Sequence, residues 1–192
     1  MDFATLAPAD RHRAAAETFT GLIAGTSDWQ ASTPVKEWAA IDVVGHLIDW
    51  LPGMLEGGGV ELTVADVESA WRTDPLAAWK SRAAIVQEVL DDPAKAGATY
   101  RSPMLGEMPM VDLLDRFWTA DIYMHSWDLA RAGGLPLDLD EAYAAEMLTG
   151  MESMEEMIRG SGQFGVRQPV ADDAPTVDKL IAFIGRDPNW SR

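Results

Sequence analysis

The stretch from Val111 to Ala132 constrains this chain more than any other. Its apolar residues recur at helical spacing and cover much of the circumference, and Gly133-Gly134 stops it. A helix that is apolar nearly all round has to be buried on more than one side, which predicts an all-α fold with this helix as the most central element. In its middle, within Asp-Ile-Tyr-Met-His (121–125), stand two residues of opposite chemistry. On a wheel turning about 100° per residue, Leu113, Leu114, Phe117, Trp118, Met124 and Leu129 fall within about 80° of Asp121, and His125 about 40° away. A carboxylate with such neighbours must be neutralised, paired or given a cation. An Asp and a His four apart point the same way, so they can grip one divalent ion, and they can equally form a buried ion pair or hydrogen bond.

The rest of the chain reads as helices separated by glycine, proline and aspartate. A first runs from Ala9 to about Gly25, with Ala16, Phe19 and Ile23 on one stripe and His12 in line with them. A second, about Ala40 to Glu56, carries Val43, Val44, Leu47, Trp50, Leu51 and Met54, has His46 at the edge of that face, and is expected to kink or end at Pro52. Gly57-Gly58-Gly59 should break it. Asp74-Pro75 has the form of an N-cap followed by proline at the first helical position, opening a third helix that Asp91-Asp92-Pro93 closes. From Ala98 to Met110 the helical period vanishes, and a short hairpin or irregular loop is expected around Gly106-Glu107. Met104, Met108 and Met110 there either fill the core or line a pocket. After the central helix, a fifth spans about Leu139 to Arg159, with Met147, Met151, Met154 and Met157 read as core. A loop-rich tail then ends in a short helix, Thr176 to Ile184. The pattern is that of one domain, residues 1–192, built as a helical bundle.

Composition removes several functions. The chain has no cysteine, which excludes disulfides, thiolate metal sites and a cysteine nucleophile. Fifteen Lys and Arg face thirty-one Asp and Glu, a formal charge of −16 that repels phosphate backbones and anionic lipid. Nucleic acid and membrane partners are therefore not expected. Without a basic-then-apolar leader or a long apolar run, a cytoplasmic protein is expected. No G-x-G-x-x-G, P-loop or G-x-S-x-G is present, so phosphate-cradling and serine-hydrolase chemistry have no support.

Only three histidines exist, so metal sites can be enumerated. If the second and central helices pack together, His46, Asp121 and His125 bring two imidazoles and a carboxylate to one point. That set suits Zn²⁺, Ni²⁺ or Fe²⁺ and leaves a position open for water or substrate. His12, close to a helix start, is expected at the surface or in a capping role. Asp128 either orients a ligand imidazole or pairs with Arg131 three residues on, and the local pair is favoured. Trp127 lies off the Asp121 stripe and is read as packing.

The runs Asp-Val-Val-Gly-His-Leu (42–47) and Asp-Ile-Tyr-Met-His-Ser-Trp-Asp-Leu-Ala-Arg-Ala-Gly-Gly (121–134), with the tail Phe164-Gly165…Pro169-Val170 and Leu180–Trp190 ending in Gly-Arg-Asp-Pro-Asn-Trp, resemble actinobacterial proteins of the DinB-like superfamily. The nearest are those built around the metal-binding domain of mycothiol-dependent maleylpyruvate isomerase. The resemblance covers essentially the whole chain. It implies a four-helix bundle whose metal, usually zinc, is held by a histidine of the second helix and an acidic-x-x-x-His pair of a later one, here His46, Asp121 and His125. It also implies a small thiol such as mycothiol at the open position, in S-transfer or isomerisation of a small molecule. A non-catalytic metal-binding or stress-response module is the alternative. The isomerase has Glu where this chain has Asp121. It also has a C-terminal domain contributing to its active site, for which a chain ending at Arg192 leaves no room, so maleylpyruvate isomerisation itself is not expected. Bundles of this kind often pair, and a homodimer is compatible with the pattern.

Overall fold

In the computed structural model, which describes residues 2–57, 70–103, 105–160 and 162–192, a 3₁₀ turn (Phe3–Thr5) precedes helix α1 (Pro8–Gly25), and α2 covers Ala40–Gly57. Helix α3 (Pro75–Asp91) opens as its sequence predicts: Asp74 Oδ1 accepts from the Ala77 N–H, and Pro75 stands at the first turn, where no N–H is needed. Asp92 does more than end it. Its carboxylate accepts from the Ala94 and Lys95 N–H groups and starts a further turn, α4 (Pro93–Ala96).

The hairpin is present. Strands β1 (Thr99–Ser102) and β2 (Gly106–Pro109) pair antiparallel, with Tyr100 opposite Met108, and the turn precedes Gly106 rather than containing it. Met110 is buried and Met108 packs half-buried on the core, which favours the core-filling reading; Met104 lies outside the described residues. Helix α2 runs through Pro52 to Gly57, and the rest of the expected glycine break, Gly58 and Gly59, also lies outside them.

One expected helix runs unbroken from Met110 to Gly133 but is not uniform, and another breaks. The central one comprises α5 (Met110–Leu113), a π-helical turn (Leu114–Thr119) and α6 (Ala120–Gly133). Gly134, at φ +62°, closes α6 in the left-handed conformation that a side chain would strain, and the Leu135 N–H reaches back to the Ala130 carbonyl. The fifth breaks at Ser153 and Met154 into α7 (Glu141–Glu152) and α8 (Glu155–Gly160). Ser153 donates its hydroxyl to the Gly150 carbonyl, a local bond that competes with helix continuation. The turn carries the methionine stripe out of the core: Met147 is buried, but Met154 and Met157 are 48% and 67% exposed, contrary to their expected core role. Helix α9 (Thr176–Phe183) closes the chain, its first N–H groups capped from a distance by the Glu141 carboxylate.

Helix α1 packs on α3 and α6, and α2 packs on α6 and α3, so each of the four touches two others. Phe19, Leu47, Leu51, Trp79, Leu113 and Trp118 fill the space between them. A second core lies on the opposite side of α6, where Tyr123, Met124 and Trp127 meet Tyr143 of α7 and Leu180 and Phe183 of α9. Apolar burial at about 25 cal/mol per Å² on both sides fixes α6 in place, as its apolar circumference predicts. Among the described residues, no helix is long and apolar enough to cross a membrane.

Candidate metal centre

Helix α6 presents Asp121 and His125 one turn apart, and α2 presents His46 across the seam. The three predicted side chains come together: one ligand atom from each lies within 4.8 Å of the other two, a group that could hold a metal ion. His46 Nε2 is 3.1 Å from Asp121 Oδ2, and His125 Nε2 is 3.5 Å from Asp121 Oδ1. Two ligands on bonds of 2.0–2.1 Å in a tetrahedral site sit about 3.3 Å apart, so both separations, each to a different carboxylate oxygen, fit donors around one ion, and the first is equally a direct hydrogen bond between His46 and Asp121.

Tautomers sharpen the fit. Asp128, fully buried, takes the Nδ1–H of His125 at 2.8 Å. With the ring proton there, Nε2 of a neutral His125 carries a lone pair, and it faces the Asp121 carboxylate. Two acceptors face each other only with positive charge between them, either a second ring proton or a cation. The 3.5 Å separation is compatible with either.

Asp128 is the correction to the local-pair expectation. Its partners are His125 and Arg186, whose Nη2 and Nε donate to Oδ2 and Oδ1 at 3.0 and 3.3 Å. Arg131 is instead exposed, with its guanidinium 5.1 Å from the centre of the Trp127 ring. Burial works against the charge on Asp128, but Arg186 and His125 outweigh it and hold the group below the usual carboxylate range. Asp121 is likewise held low: burial opposes ionisation, and His125, His46 and the Trp50 N–H together overcome it. Trp50 Nε1 donates to Asp121 Oδ2 at 2.9 Å, a role its place on the apolar face of α2 did not reveal. Its position four residues after His46 was the available signal.

The site is open on one side. The His46 side chain is 32% exposed and Asp121 18%, against 5% for His125. Trp38 covers the imidazoles, stacked at 5.6 Å and 20° on His125 and 5.0 Å from His46. It is delivered by a tight loop in which Thr33 N–H donates to the Trp38 carbonyl and Ser32 bridges to Ala39, with Glu37 at φ +68°.

His12 takes no part, and it is neither exposed nor a cap. It is fully buried, with Nδ1 2.7 Å from Gln87 Oε1 and Nε2 accepting from Trp118 Nε1 at 3.3 Å. Burial is the main cause that pulls its pKa below 6.5, Gln87 opposes the fall, and Arg13 adds to it.

No protein-family model and no solved structure matches the chain. Two curated proteins of Mycobacterium tuberculosis are similar to it: Uncharacterized protein Rv0738 of strain ATCC 25618 / H37Rv and Uncharacterized protein MT0763 of strain CDC 1551 / Oshkosh. Each is 32% identical over 187 residues, which cover 93% of this chain and 97% of the relative. The likeness therefore spans nearly the full length of both chains, and the chain belongs to the family of these two mycobacterial proteins.

Proposed function

We propose that this protein binds one divalent metal ion through His46, Asp121 and His125, in a DinB-like four-helix bundle formed by α1, α2, α3 and α6. The observation that carries the reading is the convergence of one ligand atom each from His46, Asp121 and His125 within 4.8 Å of one another, with His125 tied through its Nδ1 to a buried Asp128–Arg186 pair. Two imidazoles and one carboxylate suit zinc first, with nickel and iron as alternatives. Three protein ligands leave a position for a small molecule or a low-molecular-weight thiol such as mycothiol. Bound there, the ion would lower the pKa of a coordinated thiol or water and supply a nucleophile at neutral pH for transfer or isomerisation. In this reading Asp128 fixes the His125 tautomer, Arg186 holds Asp128, and Trp50 orients the Asp121 carboxylate.

A second reading, a module that holds metal and ligand without turnover, is favoured by the walls of the site. Trp38 and Trp50, the side chains that flank the imidazoles, are not general acids or bases. Elemental analysis of protein purified without chelator, beside its His125→Ala variant, tests the metal centre. About one equivalent in the parent and loss in the variant is expected. Full retention in the variant, or none in the parent after reconstitution with zinc, nickel or iron, would overturn it. Turnover with mycothiol then separates the two readings.

A further inference from the structure

The charge around the triad can be counted. Asp121 contributes −1, Asp128 and Arg186 cancel in their 3.0 Å pair, and His46 and His125 are neutral as ligands. A divalent ion would leave the centre at +1, which a single anionic donor neutralises and a polyanion overshoots, in a chain whose formal charge is already −16.

The walls have an equally definite character. His46, Trp50 and Met54 recur every four residues on α2 and so share one face. The His46 ring lies between two indoles, 5.0 Å from Trp38 and 6.3 Å from Trp50. Phe117 stands one turn before Asp121 on the facing segment. Trp38, Trp50, Met54 and Phe117 all pack against the core and all keep part of their surface in solvent. The far end of the stripe is fixed, because the Tyr100 hydroxyl of β1 donates to the Met54 carbonyl at 2.8 Å. The Arg186 guanidinium is held by Asp128 and by the Ile184 carbonyl, which occupies it away from any ligand tail.

We propose that the open coordination position takes a single-charge donor, a thiolate or carboxylate, carried on an apolar body that lies along Trp50 and Met54. A multiply charged molecule, or a polyhydroxylated one such as mycothiol, fits less well, so of the thiols open to this centre the stripe favours an apolar one. The inference rests on the metal centre proposed above and narrows which ligand that centre accepts: the ion selects the donor atom, and the stripe selects what the donor is attached to. Burying one methylene against such a stripe raises affinity about two- to four-fold, the upper figure being full burial.

The test loads the full chain with Co²⁺ and follows the thiolate-to-cobalt absorption band during titration with ethanethiol, butanethiol, hexanethiol and 1-thioglucose. Affinity is expected to rise at least two-fold per methylene up to hexanethiol, with thioglucose at least ten-fold weaker than hexanethiol. Met54→Gln should flatten the series while Co²⁺ content stays at the parent level. A flat series in Co²⁺-loaded parent protein, or thioglucose equal to hexanethiol, would overturn the apolar-body inference and leave the metal centre standing. Failure to bind Co²⁺ at all would overturn both.

Discussion

Gly185 immediately precedes Arg186, and its replacement by alanine tests how the tail is seated. Its φ is +95°, a conformation that costs an L side chain about 1–2 kcal/mol. An added Cβ would also stand 2.5 Å from the Gly165 Cα and 2.7 Å from its carbonyl carbon. Those are main-chain atoms, so no rotamer relieves the contact and one segment must retreat by about 1 Å to reach ordinary van der Waals distance. Overpacking of that kind adds about 1–3 kcal/mol. The sum for Gly185→Ala is about 2–5 kcal/mol, which in a chain of this size lowers Tm by roughly 4–20 °C. The reciprocal variant is the control. A Cβ on Gly165 meets Gly185 at 3.3 and 3.4 Å without a positive φ, so Gly165→Ala should cost less than about 1 kcal/mol. Thermal and urea unfolding followed by circular dichroism measure both. A Gly185→Ala protein within 1 kcal/mol of the parent, or one no less stable than Gly165→Ala, would refute the close approach and the seating of Arg186 that depends on it.

Asp128→Asn keeps the shape of the clamp and removes its charge; a drop of about 10- to 100-fold in zinc affinity is expected by chelator competition, and unchanged affinity would count against its tautomer role. His12 should make the protein acid-sensitive. Its folded pKa is depressed, so below about pH 6.5 the unfolded chain takes up a proton that the fold refuses, and stability falls by up to about 1.4 kcal/mol per pH unit until the folded pKa is reached. Urea unfolding at pH 7.5, 6.5 and 5.5 should show that loss, and His12→Gln should reduce it. Gly45→Ala places a Cβ 2.5 Å from the Trp71 ring, and the roughly 1–3 kcal/mol of overpacking should exceed the gain in helix propensity of about 1 kcal/mol. Gly21→Ala meets no atom within 4 Å and should stabilise by up to about 1 kcal/mol; chemical denaturation distinguishes the two signs.

Local signals in the sequence carried as far as local physics did. The Asp74-Pro75 start, the Gly134 stop and the apolar circumference of the central helix each follow from backbone chemistry within a few residues, and each is present. The triad was legible because two of its members are one helical turn apart and only two other histidines compete for the third place. What failed depended on distant partners. Arg131, three residues from Asp128, was the nearer cation in sequence, but Asp128 is fully buried and Arg131 is exposed, so Arg186, 58 residues away, takes the pair. The place of His12 near a helix start points to the surface, but it shares the stripe of Ala16, Phe19 and Ile23, and the partners that satisfy it when buried, Gln87 and Trp118, come from elsewhere in the chain. Ser153 and Gly150 were too weak a pair of breakers to be read against a strong methionine period.

The π-helical turn at Leu114–Thr119 has no sequence signature, yet it sets the frame in which Asp121 is counted. A wide turn holds about one residue more than an α turn, so everything after it is rotated by roughly 100° relative to a uniform helix. Phase, rather than identity, is thus what aims the acid at His46. A relative with one residue fewer between Leu114 and Thr119 and an unbroken helix there would keep the acid and its histidine aimed as here, because the lost residue and the lost wide turn cancel, whereas a relative that keeps all the residues but loses the wide turn would swing both away from His46.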